Sequence, residues 1–150
     1  MNNDDVITEL NNLIETAKDG EYGFRSCAEQ AQSSELKSLF LDRAAGCQEA
    51  ATELQAQVAQ LGGEPDTGGS ASGAIHRGWV AVRGTLSGYD DAAVLSECER
   101  GEDVALKAYR DAMAKPLPAS IASLVDRQYQ GVKRNHDQIR SLRDQAKANS

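Results

Sequence analysis

Aromatic residues are scarce in this chain; Phe, Trp and Tyr together make up only 5% of it. Sheets draw heavily on aromatic and β-branched side chains, so this deficit speaks against a β architecture. Ala and Leu carry most of the apolar content, which favours helices that pack closely. Basic clusters are also missing. The net charge is -7 and no Lys/Arg block interrupts it, so binding to a phosphate backbone is electrostatically disfavoured and nucleic acid is excluded as a partner. An acidic surface is compatible with cation uptake, and equally with no ligand at all. No apolar run approaches the roughly 18 residues a bilayer span needs. The opening MNNDDVITELNNLIE lacks the basic and apolar regions of a secretory signal. No membrane association and a cytoplasmic location are therefore expected.

Chemistry of the familiar kinds is thin. The three cysteines, Cys27, Cys47 and Cys98, are odd in number, form no CxxC and fall inside helical patterns. They read as small buried hydrophobes, not as a disulfide framework or a zinc site. GGSASG approaches GxSxG without its spacing, and neither a P-loop nor a dinucleotide fingerprint occurs. Only two histidines, His76 and His136, could serve a Ser or Cys nucleophile. Cys98 lies between Glu97 and Glu99, and that acidic setting opposes thiolate formation. Conventional catalysis is not expected.

What the 150 residues do carry is helical periodicity, in a length suited to one domain spanning 1–150. Residues 4–31 place Val6, Leu10, Leu13, Ala17, Phe24 and Ala28 on one seam, with Asn3 or Asp4 able to cap its start. A second helix over 35–61 follows Ser33 and Ser34, with Leu36, Phe40, Ala44, Cys47, Leu54 and Val58 inward; LGGEP stops it. Residues 62–73 form a loop. Ile75, Trp79, Val82 and Leu86 then suggest a short amphipathic helix over 74–87. Asp90 caps a helix over 91–114, KPLP ends it, and Pro118 opens the last one, over 118–147.

Four long helices with single apolar faces bury them best in a four-helix bundle. Short links make the first and last pairs antiparallel hairpins. The middle link is long enough to travel the length of the bundle, which makes helices two and three parallel. This is the all-α, ferritin-like topology, although a plain up-down-up-down bundle also satisfies the pattern.

Ionisable residues interrupt three of the four seams: Glu21 on helix one, Glu102 on helix three and His136 on helix four. A carboxylate in a dry core must be paired, protonated or metal-bound. Counting along the helices puts Glu21 and His136 at similar heights, level with Cys98 and Glu99 and one turn from Glu102. Carboxylates and imidazole facing one another in a bundle suit iron or manganese, so Glu21, Glu99, Glu102 and His136 form a candidate metal set. A paired-metal centre would need Glu-x-x-His on two helices. Here Lys133 precedes His136 at the Glu position, and Thr52 follows Glu49 where His should stand. The alternative is a buried ion pair, with Arg25, Arg43 or Lys133 as the cation. The short helix presents His76, Arg77 and Arg83 around Trp79, a local basic excess that reads as a partner surface or as a crossover pinned by Trp79.

LGGEP, GAIHRGW, ECERGED with KAY, and NHDQI occur in an order and spacing that resembles a bacterial family of ferritin-like four-helix-bundle proteins of unknown function. The resemblance covers nearly the whole chain and implies the ferritin-like fold. Two functional expectations follow. The first is a non-catalytic bundle acting through its surface or by self-association, as a dimer, in a stress or maintenance role. The second is an iron- or manganese-binding bundle with an incomplete carboxylate–histidine site.

Overall fold

The computed structural model describes residues 1–67 and 90–149. They form four helices, α1 (Asn3–Gln30), α2 (Ser34–Gln60), α3 (Asp91–Met113) and α4 (Ala119–Ala148), and no strand occurs among them. The expected helix over 74–87, with His76, Arg77, Trp79 and Arg83, lies outside the described residues.

Local chemistry sets the helix ends. The Asn2 side chain accepts from the Asp5 amide, one residue earlier than the sequence suggests for the cap of α1. Ser33 accepts from Leu36 N at the start of α2, and Asp90 accepts from Ala93 N at the start of α3. Each satisfies an amide that the first helical turn leaves open. Gly62 takes the left-handed conformation, φ +82°, that ends α2; a Cβ would strain that backbone. Asn11 of α1 then holds the departing chain, donating to Glu64 O at 3.2 Å and accepting from Asp66 N at 2.8 Å.

Polar contacts fix the topology. Asp91 at the start of α3 accepts from Gln32 N and Ser33 N just past the end of α1, while Lys115 beyond α3 pairs with Glu9 near the start of α1 at 2.9 Å. These helices are therefore antiparallel neighbours. Arg43 donates to Gln138, and Arg127 donates to Glu53 at 2.8 Å, so α2 and α4 are antiparallel too. It follows that α2 and α3 run parallel, as the long-crossover reading expects. Among the helix pairs that touch, packing is sparsest between α2 and α4, and this open seam decides where the interior can be reached.

The core comes in two parts. One end gathers Phe24, Cys27, Ala28, Phe40, Ala44, Val94, Leu95, Cys98 and Ile139, with the Phe24 and Phe40 rings 6.2 Å apart. The other gathers Val6, Leu10, Leu13, Ile14, Leu54, Val58, Tyr109, Ala112, Ile121 and Val125. The buried polar residues, Asp19, Glu102, Gln128 and His136, come from the stretches of α1, α3 and α4 between these ends. A bundle of this kind stabilises its ends by apolar burial and concentrates its chemistry in the middle.

Candidate metal centre

Residues of α3 and α4 build the centre. On α3, Glu99 and Asp103 are four residues apart, so they stack one turn above the other on a single helix face. His136 of α4 faces them. Ligand atoms of Glu99, Asp103 and His136 all come within 4.8 Å of one another, the one such group of three or more among the described residues. The His136 side chain is only 5% exposed. Its Nδ1 lies 3.3 Å from Asp137 Oδ1, and its Nε2 lies 2.6 Å from Asp103 Oδ1 without hydrogen-bond alignment.

That asymmetry of the imidazole matters. If Nδ1 carries the proton toward Asp137, Nε2 presents its lone pair toward two carboxylates, the usual way a second carboxylate orients a metal-binding histidine. Glu99 accepts from Arg143 Nη1 through Oε1 at 2.6 Å, while its Oε2 is buried with no hydrogen-bond partner among the described residues. Asp103 is the exposed member, its side chain 55% accessible, so the group reaches solvent.

Of the four residues expected to bind metal, Glu99 and His136 stand in this group; Glu21 and Glu102 do not. Glu21 is half-buried and paired with Arg25 at 3.0 Å and Lys18 at 3.7 Å. Glu102 is buried, but it neighbours Asp103 in sequence. Consecutive helical residues point about 100° apart, so Asp103 looks into the α3–α4 seam and Glu102 into the bundle. Burial pushes the Glu102 carboxyl up to about 8, Arg43 pulls the other way, and Asp103 and Glu99 add to the rise. Its Oε1 has no partner among the described residues. Lys133, the alternative cation, is exposed. Asp103 is the residue that the sequence reading omitted. Its signal was present as Glu99-x-x-x-Asp103, but an apolar-seam criterion passes over an exposed residue.

The Tyr109–Gln128 pair nearby is satisfied, and the thiols are inert. Tyr109 donates to Gln128 Oε1 at 2.7 Å, and Gln128 donates to Ala50 O and Glu53, linking α2, α3 and α4. Burial raises the thiol of Cys47 to about 12 and also raises that of Cys98, which contacts Cys27; neither is an activated nucleophile.

The family model described as a domain of unknown function (DUF2383) matches residues 5–115, which include Glu99 and Asp103 and stop short of His136. No curated protein matches the chain. Among solved structures, the chain is similar to a dodecameric thioferritin, the bacterioferritin-related protein of Bacteroides fragilis. The TM-score is 0.79 at 13% identity, covering 99% of this chain and 90% of that one. It is also similar to the DPS protein of Vibrio cholerae O1, described as a member of a broad superfamily of ferritin-like diiron-carboxylate proteins. There the TM-score is 0.74 at 16% identity, covering 93% and 89%. At such identities the likeness is one of fold, and the fold is ferritin-like. No helix among the described residues is long and apolar enough to cross a membrane.

Proposed function

The chain belongs to the DUF2383 family, and we propose that it is a metal-binding ferritin-like bundle holding one divalent ion, iron or manganese, between α3 and α4. The observation that carries this reading is the buried His136 ring, oriented by Asp137, with Nε2 turned to Asp103 and Glu99 and lacking an aligned hydrogen bond. The donor set fits the group: two carboxylates and one imidazole suit a hard-to-borderline divalent ion and leave positions for water. It does not fit a paired-metal centre, since Lys133 and Thr52 occupy positions where a second ion needs ligands.

Glu99, Asp103 and His136 would hold the ion. When bound, it would supply Lewis acidity or one-electron redox capacity at a solvent-accessible point. Asp137 fixes the ring tautomer, Arg143 pairs with Glu99 and offsets part of the site's negative charge in competition with a cation, and the exposed side of Asp103 admits exchange with solvent.

Manganese(II) or iron(II) titration, followed by elemental analysis after desalting, tests the reading. One ion per chain is expected, with loss in His136→Ala and retention in Glu102→Gln. Absence of a stoichiometric ion in the unsubstituted protein would end the proposal. Self-association is part of the same reading, supported by the dodecameric assembly of the similar thioferritin. A dimer is the smallest such assembly, and sedimentation velocity measures it.

A further inference from the structure

A cavity of about 520 Å³ lies between the two apolar clusters, lined by all four helices. That is the size of a small-molecule site. Each helix contributes a glycine to its wall: Gly20, Gly46, Gly101 and Gly131. A Cβ added at Gly46 would meet nothing within 4 Å, and one at Gly131 would meet only the tip of Arg134 at 3.8 Å. These two glycines are therefore not needed for helix contact. They weaken their helices and leave room. Gly46 and Arg134 are exposed, so the cavity reaches solvent where α2 and α4 part.

Two buried polar atoms of opposite character line this space without partners among the described residues. Glu102, 4% exposed, has a free Oε1, and Arg43 has a free Nε. They form no ion pair with each other, and Arg43 instead donates to Gln138. A desolvated acceptor and a desolvated charged donor left open in one pocket call for a ligand that carries both complements. No histidine lines the cavity, and Glu102 belongs to no metal-type cluster, so a metal ion is poorly served there. Asp19, Glu53, Arg127 and Gln128 also reach the wall, but more of its surface is apolar than polar, and Ala17, Phe24 and Val132 offer a face for a hydrocarbon body.

We propose that this cavity binds a small zwitterionic amino acid with an apolar body, its ammonium on Glu102 and its carboxylate on Arg43. The site is separate from the metal centre and does not depend on it. The test uses the full chain in the presence of EDTA. Leucine, phenylalanine and 6-aminohexanoate are compared with hexylamine, hexanoate and hexanol, by calorimetry and by backbone amide shifts of Gly46, Gly101 and Gly131. At least one zwitterion is expected to bind about tenfold or more tighter than each single-charge probe and to move those glycine signals. Glu102→Gln and Arg43→Gln should each weaken it about tenfold or more. Gly46→Leu, which fills open space, should abolish it in a protein that still folds. Equal binding of hexylamine or hexanoate, an unchanged affinity in Glu102→Gln, or no response to any zwitterion at millimolar concentration would overturn the proposal.

Discussion

Glu102 and His136 are equally buried, each 4% exposed, and their surroundings are opposite. His136 sits in the seam between α3 and α4, where Asp103, Asp137 and Glu99 crowd its ring. Glu102 faces a cavity of mixed polar and apolar lining, where burial drives its carboxyl toward the neutral form. One region has more ligand atoms than protein partners can use; the other has a buried carboxyl with Arg43 near it but no hydrogen-bond partner for its Oε1 among the described residues. Burial alone thus says that a polar residue is costly. Its neighbours decide whether the cost is met by surrounding polar groups or by a proton.

Removing the imidazole should break the comparison most sharply. In His136→Ala, manganese(II) affinity should fall about a hundredfold or more, as expected for loss of a ligand rather than of its supporting residue. Glu102→Gln should leave it within about twofold by the same titration. Equal losses in both variants would merge the two regions into one site.

The proton at Glu102 gives the next largest effect. Its carboxyl is raised in the folded protein from 4.5 to about 8. The unfolded chain therefore ionises first, and stability present below pH 4.5 is lost as the pH climbs through 8. Urea unfolding of the unsubstituted chain and of Glu102→Gln should diverge across that window, with the variant gaining about 4–5 kcal/mol by its upper end. Parallel pH profiles would show that the carboxyl is ionised and partnered.

Two glycines of the cavity wall should respond in opposite directions. A Cβ at Gly20 would stand 2.8 Å from Cys47 Sγ. Gly20→Ala should therefore destabilise by about 1–2 kcal/mol in thermal or urea unfolding, and Cys47→Ala should relieve most of the loss. Between these in size comes Arg143→Gln, which removes a cation from Glu99 and should tighten manganese(II) binding roughly threefold to tenfold in low salt. Smallest, Gly46→Ala should stabilise by up to about 1 kcal/mol, since it improves helix propensity and fills open space. A loss at Gly46 matching that at Gly20 would mean that the cavity closes in solution.

Most of the fold was legible because helix ends are written in local chemistry. Ser33, Asp90, LGGEP and KPLP placed the four helix boundaries within a residue of where they fall. The parallel run of α2 and α3 followed from the length of the crossover. The interruptions at Glu102 and His136 were legible too, and both are buried. Their separation was not. Axial height can be counted along a sequence, and it put His136 level with Glu99. Rotation about each axis is set by packing, and 100° between neighbouring residues is enough to send Asp103 to the imidazole and Glu102 to the cavity. Arg43, the nearest cation to influence Glu102, was one of three named candidates, and only tertiary packing chooses among them.

Asp91 has a consequence that reaches across the molecule. By accepting from two amides of the α1–α2 turn, it binds the hairpins together at one end of α1 and α3, and Lys115 with Glu9 binds them at the other. The bundle is thus stitched like a book, with α1 and α3 as its spine and α2 and α4 as the covers of its loosely shut fore-edge. A visitor to the interior can part those covers by breaking the few bonds of Arg43, Arg127 and Gln128 across the fore-edge, and the spine stays stitched.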